Sequence, residues 1–219
     1  TARALALGQG SDAGAARLAA LVDALVYERV IVPIDVEPDP RVTGVHAGEN
    51  GHNPIDFVRA QTPAGEALAI YSSAQALSAH RPGDRPMALD FRTIGLTALV
   101  ETGGRVVVNP GTDAVLLPRP AVAALAQGDE WLPAWRDEAL CELLLVEATA
   151  ACPDIVDLEI AYAGDGLTRV LVSVDRASFA QGEGASSMKA ALSAALNAVG
   201  TNPRLIVSAD RVEIAPVLR

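Results

Sequence analysis

The three histidines are the first candidates for metal binding or acid–base catalysis, because imidazole titrates near neutral pH. His46 and His52 lie six residues apart in a glycine-containing stretch, with Glu49 and Asp56 nearby. This spacing fits no compact set of ligands, and a bound ion would have to order the loop itself. His80 ends a short helical pattern, where partial positive charge interacts favourably with the helix dipole. We interpret His46 and His52 as solvated loop residues and His80 as a helix-end residue, so the sequence predicts no metal site.

The cysteines and the acidic pairs do not form a recognisable catalytic set. Cys141 and Cys152 belong to no C-x-x-C or Cys/His zinc pattern, and no Gly-x-Ser-x-Gly motif is present. Cys141 falls in an apolar helical segment, where its thiol would stay protonated, so we predict that both are core thiols. The carboxylate pairs at positions 35 and 37 and at 154 and 157 show no sign of an enclosing pocket, and we interpret them as solvated.

Two glycine-containing stretches could in principle hold a phosphate. Gly-Glu-Gly at 182–184 precedes a helical pattern, but it lacks the third glycine and the preceding strand of a dinucleotide site, and the Lys-Ser/Thr of a P-loop. Glu183 would also repel a phosphate, so we interpret the stretch as a linker before a helix capped by Ser186 or Ser187. Gly-Gln-Gly at 8–10 has no strand before it. The sequence therefore predicts no catalytic residue and no cofactor.

Trp131 and Trp135 are the most conspicuous apolar pair, with Pro133 between them. Both indoles could lie on one exposed patch, since aromatic residues are enriched at the centres of interfaces. Two large apolar side chains at a junction more simply pack two domains together, which is the interpretation we favour. The proline and a new helix start at Asp137 place this junction near residues 133–136.

The stretch RVVVNPGTDAVLL, residues 105–117, joins two apolar strands through a turn. Three consecutive valines favour a strand that is covered on both faces. Asn109-Pro110-Gly111 then predicts a type II turn, because proline fixes φ at its second position and glycine accepts positive φ at its third. We predict that these three residues have a structural role.

The composition limits the partners. The net charge is −10 and the only lysine is Lys189, which disfavours nucleic acid and anionic lipid as partners. Only 4% of residues are aromatic, so the core must be built from alanine, valine, leucine and isoleucine. No apolar run reaches the roughly 20 residues that span a bilayer, and no signal segment opens the chain. We expect a soluble cytoplasmic protein, and the sequence leaves open whether it forms a homo-oligomer.

Apolar periodicity predicts alternating helices and strands in the first half. Glu37 to Pro54 is expected to be a mobile surface loop that binds no metal. The predicted elements are a helix from Ser11 or Asp12 to Tyr27, a strand Arg29 to Val36, a hairpin of Ile55 to Thr62 and Glu66 to Tyr71 through Pro63-Ala64-Gly65, a short helix capped by Ser72 or Ser73, a helix Thr93 to Glu101, and a helix Ala121 to Ala126.

The second half is predicted to have the order α-β-β-α-β-β. Its elements are a deeply packed helix from Asp137 to Ala151, strands Ile155 to Ala163 and Leu167 to Asp175 joined by Gly164-Asp165-Gly166, a helix Ala185 to Val199, and a closing hairpin of Arg204 to Ser208 and Val212 to Val217.

The order of VIVPID, the hairpin TPAGEALAIYSSAQAL, RVVVNPG and LPRPAVAALAQGDEW resembles the amino-terminal domain of the SseB family, named for enhanced serine sensitivity. The resemblance covers roughly residues 15 to 135. The second half, with VDRASF, is similar to the carboxy-terminal domain of some members of this family. The resemblance implies a small bacterial cytoplasmic protein of unestablished activity, and it assigns no catalytic residue.

The sequence thus predicts an α+β fold of two small mixed domains, each a sheet packed against helices, with residues 1–134 and 135–219 as the domains. The predicted function is non-enzymatic binding of a protein partner or a small ligand. The alternative is an enzyme, such as a hydrolase or transferase, whose pocket is built from residues separated in sequence. A deep pocket with convergent titratable groups would favour the enzyme, and apolar surface patches would favour partner binding.

Overall fold

A computed structural model describes residues 1–34, 57–178 and 184–219 of the chain. The helices are α1 Ala2–Leu5, α2 Ala15–Leu25, α3 Ala74–His80, α4 Phe91–Glu101, α5 Arg119–Gln127, α6 Glu138–Ala151, α7 Gly184–Thr201 and α8 Pro203–Ser208. The strands are β1 Arg29–Ile34, β2 Arg59–Thr62, β3 Gly65–Ile70, β4 Arg85–Asp90, β5 Val106–Val108, β6 Val115–Leu117, β7 Ile155–Tyr162, β8 Leu167–Val174 and β9 Arg211–Leu218. Three sheets pack against helices, so the fold is α+β, as predicted.

The first half contains a four-stranded sheet in the order β2-β3-β5-β6 and a two-stranded antiparallel sheet of β1 and β4. Strands β3 and β5 are parallel, and the other pairs are antiparallel. The two sheets are joined where Ile31 and Tyr71 exchange backbone hydrogen bonds of 2.9 and 2.7 Å. The predicted hairpin is confirmed as β2 and β3, and Gly65, which follows the turn between them, has φ 106°.

The valines of β5 are buried on both faces of the sheet, as their β-branched run predicts. Val106 and Val108 lie in the first core, which helices α2, α4 and α5 cover. Val107 lies on the opposite face, in a smaller cluster with Tyr71 and Leu77. Aliphatic side chains dominate both cores, which follows from the low aromatic content.

The second half contains a three-stranded sheet in the order β7-β8-β9, with α6 and α7 against one face. Gly164, Asp165 and Gly166 all have positive φ between β7 and β8, which confirms the predicted hairpin. The Asp137 side chain accepts a 3.0 Å hydrogen bond from the Leu140 N–H, so the predicted start of α6 is also confirmed.

The predicted closing hairpin is wrong. Residues 204–208 belong to helix α8, and β9 pairs with β8 in parallel, which gives the order α-β-β-α-α-β. Asn202 starts α8 by accepting hydrogen bonds from the N–H groups of Arg204 and Leu205 at 2.9 and 3.1 Å, and Pro203 occupies the first turn. The Asn-Pro cap outweighs the strand preference of Ile206 and Val207.

Three further expectations need correction or lie outside the described residues. Helix α2 begins at Ala15 and ends at Leu25, and the Asp12 side chain accepts hydrogen bonds from the N–H groups of Gly14, just before the helix, and Ala16, in its first turn. Helix α6 is less deeply packed than predicted, since Val146 is 66% exposed. The predicted loop 37–54, with both of its histidines, and residues 182 and 183 lie outside the described residues.

Candidate functional site

The predicted turn at Asn109-Pro110-Gly111 lies where the parallel strands β3 and β5 end. Gly111 has φ 87°, and the Thr112 N–H donates to the Asn109 carbonyl at 3.4 Å, as a type II turn requires. Asn109 also has positive φ, at 51°, and its side chain binds both the N–H and the hydroxyl of Ser72 at 2.9 and 3.0 Å. These hydrogen bonds of the Asn109 side chain therefore link the segment that follows β3 to the turn. The structural role of the three turn residues stays a prediction.

His80 does more than end helix α3. Its Nδ1 lies 2.8 Å from the hydroxyl of Tyr71, whose side chain is fully buried. Burial raises the pKa of Tyr71. A Cβ atom at position 111 would overlap the exposed imidazole ring, so Gly111 serves the backbone and also leaves room for His80. The pairing of His80 with Tyr71 was not predicted, because no local pattern links the two positions.

Trp131 and Trp135 contact each other edge to face, with ring centroids 5.6 Å apart. The Trp135 ring also lies 4.9 Å from that of Tyr162 on β7. Both indoles pack against the first core, and Trp135 packs against the second core as well. Their Nε1 atoms are buried without a partner in the described part of the chain. The pair thus contributes apolar contact here, and its role in holding two domains together stays a prediction.

A bidentate ion pair joins the same two parts of the chain. Nε and Nη2 of Arg105 donate to the two carboxylate oxygens of Asp210, each at 2.9 Å. The Asp210 side chain is fully buried, so its carboxylate has lost its contact with water. The two hydrogen bonds from the Arg105 guanidinium compensate for that loss. Sequence reasoning missed this contact, because nothing local marks two residues 105 positions apart as partners.

A cleft of about 180 Å³ lies between the start of α2, the residues before β6 and the β7–β8 turn. Two of its polar side chains have protein partners. Arg17 binds the carboxylate of Asp113 at 2.6 Å, and the Tyr162 hydroxyl accepts a 3.2 Å hydrogen bond from the Gly166 N–H. The Arg17 Nε is buried and has no partner among the residues that the structure describes, so it has no exposed surface to offer a ligand. Asp165 also lines the cleft, but it is a single carboxylate with no second acid or base paired to it among the described residues.

Cys152 is a core thiol, as predicted, whereas Cys141 is only partly buried at the edge of the second core. Cys152 is in the second core, 3.9 Å from the sulfur of Met188. Cys141 donates to the Leu158 carbonyl at 3.3 Å, and burial raises the pKa of its thiol. In the acidic pair at positions 154 and 157, Asp157 forms an ion pair with Arg219 at 2.6 Å. Within residues 1–34, 57–178 and 184–219, no three histidine, cysteine or acidic residues are grouped closely enough to bind a metal.

Helix α4 is packed on one face and exposed on the other, and the exposed face carries three large apolar side chains among polar ones. Its packed face meets α5 closely, since a Cβ at Gly95 would lie 3.0 Å from that of Ala126. Its outer face presents Leu96, Leu99 and Val100, which are 52%, 36% and 87% exposed. The spacing i, i+3, i+4 places these three side chains on one side of the helix. We call these three side chains the α4 surface. Sequence reasoning missed it, because the helical pattern does not show which face of α4 packs against α5.

A cleft of about 270 Å³ lies at the beginning of α4, between the ends of α2 and α5. Leu25, Phe91 and Leu125 form its apolar floor. Arg92 also lines it and precedes Leu96 by one helical turn, so the cleft is continuous with the α4 surface. We call this cavity the α4 cleft.

The fold and these features define an α+β protein with an aliphatic core in each half of the chain and three exposed apolar side chains on helix α4. The chain belongs to the SseB family, because the model of the SseB protein N-terminal domain matches residues 2–124. No curated protein and no solved structure gave a significant match. The family match includes all of α4 and does not extend to β7, β8 and β9. Among the described helices, none has the length and apolar character needed to cross a membrane.

Proposed function

We propose that the protein is a non-enzymatic bacterial binding protein that engages a partner protein through the α4 surface. The observation that supports this most is the presence of three large, adjacent and exposed apolar side chains on a helix whose other face is already packed. The resemblance to the SseB family supports the cytoplasm as its compartment.

The energetics favour an interface at this position. Removing a leucine or valine side chain from water contributes about 1.5–3 kcal/mol, and each side chain of the α4 surface is at least one third exposed. Contiguous exposed apolar side chains on a folded protein typically mark an interaction site, whereas scattered ones do not. A partner that covers Leu96, Leu99 and Val100 would complete the burial of α4.

The position of the α4 surface within the family match adds support. Val146 and Leu143 on α6 are also exposed, but they lie beyond residue 124. Charged residues flank both patches, Glu142 and Glu147 on α6 and Arg92 and Glu101 on α4, so charge does not separate them and the extent of the family match does. The α4 surface is therefore the better candidate for a binding site.

The enzymatic alternative has less support among the described residues. An active site would need a pocket in which unpaired titratable groups converge. The cleft beside Arg17 brings distant residues together, but Asp113 pairs with Arg17 and Gly166 binds the Tyr162 hydroxyl, which leaves Asp165 as a lone carboxylate there. The α4 surface offers contact area without such groups, which suits binding rather than chemistry.

The test compares two matched substitutions. Leu96→Gln with Val100→Gln replaces exposed apolar side chains by a polar residue with good helix propensity, so the helix itself should be retained. Affinity-tagged wild type and variant are isolated from the native cell, and bound proteins are quantified by mass spectrometry. A partner should be recovered with wild type and reduced at least tenfold with the variant.

Val146→Gln on α6 is the control, because it removes a similarly exposed apolar side chain from a different helix. It should retain the partner at the wild-type level. Equal recovery with all three proteins would refute the α4 surface as the binding site, provided that far-ultraviolet circular dichroism shows the same helix content.

A further inference from the structure

We infer that the α4 cleft binds a basic residue of the partner, arginine or lysine, adjacent to an apolar residue. This inference rests on the proposed binding function and specifies the chemistry of the segment that is bound. The apolar floor of Leu25, Phe91 and Leu125 accepts the apolar side chain. A volume of about 270 Å³ suits one or two side chains and is too small for a folded element.

The rim of the cleft is acidic. Asp90 and Asp129 line it, as does Glu28, whose carboxylate is already paired with the amino group of Thr1 at 2.6 Å; Arg92 is the cation among the lining residues. Asp90 is 3.7 Å from Arg29 with both side chains largely exposed, an arrangement that contributes little binding energy. The carboxylate of Asp129 makes no hydrogen bond or ion pair with the residues that the structure describes. It therefore remains available to a cation from outside.

Two helix ends increase the preference for positive charge. Helices α2 and α5 both end at this cleft, at Leu25 and Gln127, and their last carbonyl groups carry partial negative charge. Neither helix has a basic residue in its last turn to compensate. The opposing positive end of α4 is already faced by Asp90, its N-cap residue.

An exposed aromatic ring completes the site. Tyr27 lines the cleft and is 89% exposed, although it follows a helix that is otherwise well packed. The face of a tyrosine ring attracts a guanidinium or ammonium group. An aromatic face, free carboxylate and apolar floor together favour a segment with adjacent basic and apolar residues over an acidic or purely apolar one.

The experiment selects peptides from a phage-displayed random library on the full chain and measures the binding of synthetic versions by fluorescence anisotropy. Selected peptides should contain arginine or lysine beside an apolar residue. Asp129→Asn should weaken their binding about tenfold, because it removes a charge without changing the shape of the side chain. Glu159→Gln, which removes a carboxylate from an exposed position on β7, should leave the affinity within twofold of wild type.

The outcomes separate this inference from the proposed function. If Val100→Gln weakens peptide binding and Asp129→Asn does not, the α4 surface stands and the role of the cleft is refuted. If neither substitution matters, both proposals fail. Selected peptides without basic residues, or no selected peptide, would also refute the cleft. A homodimer that dissociates on Asp129→Asn in sedimentation experiments would show that the occupant is a second copy of the chain rather than a partner, and would likewise overturn it.

Discussion

Replacing Gly111 by alanine should destabilise the protein by two separable effects. The residue has φ 87°, and holding a non-glycine residue in the left-handed region costs about 1–2 kcal/mol. The new Cβ would overlap the His80 ring, which is exposed and can rotate away. That rotation would break the 2.8 Å hydrogen bond to Tyr71 and leave a buried hydroxyl unpaired, at a cost of about 1–2 kcal/mol. The expected loss is therefore about 2–4 kcal/mol in the free energy of unfolding.

Gly128→Ala is the matched control. Gly128 has φ 81°, but a Cβ there would have no atom within 4 Å, so only the backbone cost applies. Urea unfolding should give a loss of about 1–2 kcal/mol for Gly128→Ala and a larger loss for Gly111→Ala. In a His80→Ala background, where the hydrogen bond is already absent, Gly111→Ala should cost no more than the control. Equal losses for both glycine variants in the wild-type background would refute the steric role of His80.

Three further predictions concern the contacts between the two parts of the chain and the thiols. If the domains divide near residue 134, Trp131→Ala with Trp135→Ala should make residues 133–137 the first site of limited proteolysis and release two resistant fragments. The corresponding tryptophan-to-phenylalanine substitutions should not have this effect. A single cooperative melt of the alanine variant without that cleavage would instead indicate one continuous domain. Arg105→Met should lower the free energy of unfolding in urea by about 3 kcal/mol, because it leaves the buried Asp210 carboxylate unpaired. Arg169→Met, at an exposed ion pair, should lower it by under about 1 kcal/mol. Similar losses for the two variants would contradict this account. Because burial raises the pKa of Cys141, less thiolate is present at pH 8 in the folded protein than in the unfolded one, so iodoacetamide should label it slowly until urea is added; rapid labelling of the folded protein would contradict this.

Features with a local cause could be predicted from the sequence. The turns at Gly111 and Gly166 follow from residues that accept positive φ, and the start of α6 follows from the acidic cap Asp137. The valines of β5 indicate a strand because their branched side chains suit a covered sheet. In each case the determinants lie within a few residues of one another.

Features set by distant residues could not be predicted. The segment Arg204–Ser208 is short and apolar, so periodicity alone does not distinguish a strand from a helix, and the Asn202 cap decides. The partners of Arg105 and His80 depend on how separate elements pack. The α4 surface depends on which face of helix α4 packs against α5, and the local sequence does not determine that face.

The most direct test of the central claim is photocrosslinking in the native cell from position 100, compared with position 146. A benzophenone side chain replaces Val100 in one strain and Val146 in another, since both sites are exposed and lie on helices. The α4 surface as a binding site predicts a discrete crosslinked species from position 100 that contains a second protein, and none from position 146. No crosslink at position 100, or the same species from both positions, would contradict it.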